Sequence, residues 1–66
     1  MYKNKIKQYR IEKHMTIKEL AIESKISSGY LCHLEKGNRQ NPSINVMKNI
    51  SKALDKRISD IFFIED

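Results

Sequence analysis

Glycine and proline occur at only three positions in this chain, Gly29, Gly37 and Pro42. That shortage constrains the fold more than any other feature. Chains turn and break most readily at these residues. With so few breakers, and no stretch of alternating β-branched residues, helices are the expected elements. No repeat, low-complexity tract or linker divides the sequence, and 66 residues suffice for a single domain over residues 1–66. A domain of this size buries only about 60% of the surface its unfolded chain exposes, so a thin core is expected. Cys32 is the only cysteine, which excludes an intrachain disulfide as a staple.

The apolar spacing divides the chain into five helices. The first runs from about Asn4 to Lys13, with Ile6, Tyr9, Arg10 and Lys13 on one face, and ends near His14, a residue type that tolerates a left-handed backbone. Thr16 opens the second, and Glu19 three positions later completes a capping box. Ile17, Leu20, Ala21 and Ser24 then form a narrow buried stripe. A short turn at Lys25-Ile26 leads to Ser27, a good N-cap for a third helix that turns Leu31 and Leu34 inward and stops at Gly37. After the polar segment 38–42, Ser43 caps a fourth helix. Its inward stripe is Ile44, Met47, Ile50, Ser51 and Leu54, and Asp55 ends it. Ile58, Ile61 and Phe62 give a last short helix its apolar side. The expected class is all-α, a compact five-helix bundle.

Thirteen Lys and Arg against eight Asp and Glu give a net charge of +5, which favours a polyanionic partner such as nucleic acid. The abundance of Lys, Ile and Asn, whose codons are AT-rich, points to a low-GC bacterial genome. The longest apolar runs, 61–64 and 20–22, fall far short of the roughly 20 residues of a membrane span. No order of charged start, apolar stretch and cleavage site suggests a secretory leader, so a cytoplasmic protein is expected. Cys32 and His33 are neighbours on a helix, diverge by about 100°, and cannot jointly chelate one ion. Glu19 and Glu23, four residues apart, read as a solvated helix face rather than an acid–base pair. Neither a Gly-rich phosphate loop nor a Ser-His-Asp order is present. The expectation is a protein that is not an enzyme and takes no metal or cofactor.

Two helices joined by a tight turn over about 16–37 have the organisation of a helix-turn-helix. The stretch T-I-K-E-L-A-I-E-S-K-I-S-S-G-Y-L-C-H-L-E-K-G resembles the Cro/C1-type (XRE) helix-turn-helix family. Its markers are Leu20-Ala21, Ile26, Leu31, Leu34 and the Glu35-x-Gly37 ending. The likeness extends to I-K-Q-Y-R-x-E-K at 6–13, N-P-S-I at 41–44 and I-S-K-A-L at 50–54. The Ser-Gly-Tyr-Leu and Asn-Pro-Ser segments look most like the DNA-binding halves of repressors of biofilm and sporulation programmes. The resemblance implies a lambda-repressor-like fold whose third helix enters the major groove. Carried over by position, base readout falls to Ser28, Gly29, Tyr30 and His33, with Ser27 and Cys32 flanking. Phosphate contacts fall to Thr16, Ile17, Lys18, Lys36, Asn38, Arg39, Ser43 and the amide of Ile44. The family also pairs the equivalents of Arg10 and Glu35 between helices one and three.

The chain departs from that pattern in four places. Ile17 stands where a phosphate-binding glutamine is usual, and Lys25 and Asp55 stand where glycines are common. The third helix has no Arg, Gln or Asn at its base-facing positions, the residues that make the strongest bidentate base contacts. Modest sequence discrimination is therefore expected. The tail over about 58–66 carries Ile58, Ile61, Phe62, Phe63 and Ile64, more apolar bulk than one helix face buries, and family members commonly dimerise through this end. The resulting expectation is a transcriptional regulator, a repressor that binds an inverted repeat in double-stranded DNA as a homodimer and is regulated by dimerisation, concentration or a protein partner such as an antagonist or toxin. The alternatives are the DNA-binding antitoxin of a toxin–antitoxin pair, a restriction–modification controller, or a protein-interaction adaptor that has lost DNA binding.

Overall fold

Side-chain caps set where the helices begin. The computed structural model of the chain describes residues 2–37 and 42–64, with side chains for 4–37 and 42–62. In it the helices are α1 (Ile6–Glu12), α2 (Ile17–Ser24), α3 (Ser28–Glu35), α4 (Ile44–Leu54) and α5 (Ile58–Ile61). The Thr16 hydroxyl accepts the Glu19 N–H at 3.1 Å, and the Glu19 carboxylate accepts the Thr16 N–H at 2.8 Å, closing the capping box on α2. Ser27 and Ser43 each accept the amide of their third helical residue, at 3.1 Å from Tyr30 and 3.2 Å from Val46. Asp60 accepts the Arg57 N–H at 3.1 Å, and that bond holds the Asp60 carboxyl below its ordinary range.

Left-handed residues set where helices end. His14, Lys25 and Asp55 have φ of 57°, 61° and 57°, and Gly37 has φ of 78°. For Lys25 and Asp55 this is the conformation that glycine adopts without cost. A β-carbon in this conformation is strained by about 1–2 kcal/mol, and among the described residues His14, Lys25 and Asp55 all carry one.

Each helix contributes to one core. Ile6, Leu20, Leu31, Leu34, Ile50, Leu54 and Ile61 are fully buried, with Ala21 and Phe62 nearly so. Helix α2 lies at the centre of the packing, against both α3 and α4. On α4 the buried side is Val46, Met47, Ile50, Ala53 and Leu54. Ile44, expected inward, is exposed. At about 100° per residue it lies roughly 120° from the centre of that face, beyond the reach of the core. Among the described residues, no helix is long and apolar enough to cross a membrane.

The helical bundle carries one addition that helical periodicity did not anticipate. Strand β1 (Tyr2–Asn4) pairs antiparallel with β2 (Phe62–Ile64), Tyr2 opposite Ile64 and Asn4 opposite Phe62. This ribbon claims Asn4, so α1 starts two residues later than expected. It also ties the tail back onto the chain's N-terminal strand. Ile61 and Phe62 are buried in the chain's own core, and Ile58 packs against it, so Ile61 and Phe62 offer little to a second copy. The side chains of Phe63 and Ile64 lie outside the described residues.

Ser24 is fully buried, and among the described residues its hydroxyl finds no hydrogen-bond partner. Burying an unpaired hydroxyl is unfavourable, and alanine is the better helix former. Ser24→Ala is therefore expected to stabilise the fold by about 1 kcal/mol, raising the melting temperature by about 4–8 °C. A lowered melting temperature would mean that the hydroxyl is bonded in solution.

Candidate nucleic-acid interface

The turn that orients α3 is short and fully specified. Lys25, left-handed, donates its N–H to the Ile22 carbonyl at 3.2 Å, and Ile26 donates to the Ala21 carbonyl at 3.0 Å. Two bonds back onto α2 across one left-handed residue fix the angle between the helices. Ser27 then caps α3, and Leu31 and Leu34 anchor its inner side in the core.

The far end of α3 is held as firmly. Arg10 of α1 donates from Nε to Glu35 Oε2 at 2.7 Å and from Nη2 to Glu35 Oε1 at 3.3 Å. Its Nη1 donates to the Met15 carbonyl at 2.8 Å. The two side chains are only 12% and 5% exposed, which makes this a buried, bidentate pair. Asn4 adds a second tie. Its Nδ2 donates to the Leu34 carbonyl at 2.8 Å, while its Oδ1 accepts the Ile6 N–H at 3.1 Å. One amide thus satisfies the end of α3 and the start of α1 together.

A rigid helix with one free face results. Ser28, Gly29, His33 and Lys36 are exposed, and Cys32 and Tyr30 are half-buried. At about 100° per residue, Ser28, Cys32, Lys36, Gly29 and His33 sweep one face roughly 140° wide. Tyr30 stands at its margin, packed against the core on one side. Cys32 and Lys36 therefore lie nearer the centre of the face than Tyr30 does, a point that helical angles alone make visible.

Most of the groups expected to meet phosphates are at helix ends. Thr16 and Lys18 at the start of α2, Lys36 at the end of α3, and Ser43 and Ile44 at the start of α4 are all exposed. Asn38 and Arg39 lie outside the described residues. Ile17 is half-buried, its side chain packed against the core. An apolar side chain at the first helical position finds its partner in α2's own packing, which leaves only its backbone amide for an anion.

The profile of the family described as Helix-turn-helix matches residues 6–61, which takes in every helix and nearly the whole chain. The chain belongs to the Cro/C1-type helix-turn-helix family. This is a family of non-enzymatic transcriptional regulators. One relative, the HTH-type transcriptional regulator SlrR of Bacillus subtilis, is 37% identical over 60 residues, 91% of this chain and 40% of SlrR. The structure is also similar to that of SinR, the master regulator for biofilm formation, in complex with DNA. The TM-score is 0.78 at 37% identity, over 82% of this chain and 86% of that one. A complex of SinR with SinI gives a TM-score of 0.77 at 38% identity, over 80% of this chain and 52% of that one. This helix-turn-helix chain accordingly spans well under two thirds of the length of SlrR.

Proposed function

We propose that this chain is a sequence-specific double-stranded DNA-binding regulator, a repressor that binds an inverted-repeat operator as a homodimer in the cytoplasm, with residues 1–66 acting as one DNA-binding domain. The observation that carries this reading is the free face of α3. Ser28, Gly29 and His33 stand exposed on a helix clamped at both ends, in a fold similar to that of SinR bound to DNA. Only a helix fixed in position reads base edges, because a contact displaced by an ångström no longer discriminates. Lys18 at the start of α2 and Lys36 at the end of α3 neutralise phosphates, while the N-termini of α2 and α4 supply amides to others. A helix of eight residues reaches few base pairs, which favours two copies on two half-sites about 34 Å apart. A protein antagonist is part of the same reading, in keeping with the complex that SinR forms with SinI.

A second reading, an interaction adaptor without DNA binding, is favoured by one feature, an apolar, half-buried Ile17 where a phosphate ligand is usual. Salt titration separates the two. Each phosphate contact releases about 0.9 counterion, so a dimer that loses one lysine per subunit loses nearly 2 from the slope of log affinity against log salt. Lys18→Ala and Lys36→Ala are each expected to lower the slope by about that amount and to weaken every duplex sequence alike. Duplex binding that is absent, or that ignores salt, would leave the adaptor reading standing.

A further inference from the structure

Gly29 sits where the fold has no use for a glycine. It lies inside α3, and Gly37 alone among the described glycines has a positive φ, so no left-handed turn requires it. Among the described residues, a Cβ at position 29 would meet no heavy atom within 4 Å beyond its chain neighbours and its own helix backbone, so close packing there does not require it either. Glycine within a helix is nonetheless less favourable than alanine, because it surrenders more backbone freedom on folding. The fold therefore carries a cost at Gly29 that nothing among the described residues recovers.

What lies outside the chain accounts for it. Gly29 is exposed near the middle of the free face of α3, beside two other short residues, Ser28 and Cys32. The longer side chains, His33 and Lys36, follow toward the C-terminal end of that face. The first turn of α3 thus presents a shallow surface in which the backbone itself is uncovered. We infer that Gly29 is a specificity-determining residue: the missing side chain lets the α3 backbone come up to the base edges in the major groove, closer than any Cβ would permit. This rests on the DNA-reading function proposed above. It also explains how a helix without Arg, Gln or Asn on its reading face discriminates at all. Short hydroxyl, thiol and backbone groups reach bases only from a close seat.

The test compares Gly29→Ala and Gly29→Leu with the unaltered chain on two duplexes, one selected from a random pool and one random. Gly29→Ala is expected to melt no lower than the unaltered chain, since the site is open and alanine favours the helix. It is nonetheless expected to lose about tenfold in affinity for the selected duplex, while binding random DNA within about twofold. Gly29→Leu is expected to lose more. Full affinity in Gly29→Ala would show that a Cβ fits, and would overturn the inference even if Gly29→Leu fails. Equal losses on both duplexes would place the close approach at the phosphates and overturn the base-edge role. Should the unaltered chain prefer no duplex from the pool, the DNA-reading function fails, and this inference fails with it.

Discussion

Replacing Arg10 by Met or Glu35 by Gln is expected to lower the melting temperature by more than about 10 °C. The pair is bidentate, and its side chains are 12% and 5% exposed, so removal of either member strands a charge or a polar group away from water. Breaking such a pair costs about 3 kcal/mol or more, and each kcal/mol shifts the midpoint of a domain this size by about 4–8 °C. A 66-residue domain holds on the order of 3–10 kcal/mol in all, so the loss approaches the whole stability. Arg10→Met has the further effect of abandoning the Met15 carbonyl, which accepts from Nη1, and is expected to be the worse of the two. The double variant Arg10→Met/Glu35→Gln is expected to lose less than the sum, because the second change removes a group already stranded. Thermal unfolding followed by circular dichroism measures all three. Strict additivity would show that the two residues do not stabilise each other.

Much of this architecture is written in local patterns. Thr16 with Glu19, Ser27 and Ser43 are caps that act within one turn of helix, so their roles follow from the sequence and hold in the fold. The apolar stripe of α2 is legible for the same reason. Ile44 was not, because a helix's buried side is set by where its neighbours lie. An isoleucine at the first position of α4 matches the inward spacing poorly enough to be left in solvent. The ribbon was hidden by its length. Three residues per strand are too few for an alternating pattern, and Phe62-Phe63-Ile64 reads equally well as the end of an apolar helix.

The interface divides along the same line. The exposed positions of α3 follow from helical spacing, and the Arg10–Glu35 pair follows from the family resemblance, which carries information about contacts 25 residues apart. Asn4 had no such signal. Its bond to the Ile6 amide is local and was open to sequence reasoning, whereas its bond to the Leu34 carbonyl spans 30 residues and depends on the ribbon. Ile17 shows the reverse case. The resemblance names it as a phosphate contact, and its side chain packs half-buried against the core.

The second large effect is expected on the reading face itself. Tyr30 stands at its margin, half-buried against the core, and Ser28 and His33 stand exposed beside it. A base-edge contact carries about 1–3 kcal/mol of discrimination and little dependence on salt. Tyr30→Ala is therefore expected to weaken binding to the preferred site about tenfold or more while sparing random DNA. Because Tyr30 also touches the core, the variant loses some stability. The ratio of specific to random affinity is insensitive to that loss, since unfolded chains are removed equally from both.

That ratio is also the most direct test of the claim that the free face of α3 reads DNA. It is measured on a duplex selected from a random pool, for the unaltered chain and for the triple variant Ser28→Ala/Tyr30→Ala/His33→Ala. The unaltered chain is expected to prefer the selected duplex by about a thousandfold, the low end for specific regulators, in keeping with a helix that lacks bidentate side chains. The triple variant is expected to keep its affinity for random DNA and to fall to a preference of about tenfold or less. An unchanged preference in the triple variant would contradict the account and move sequence reading off α3.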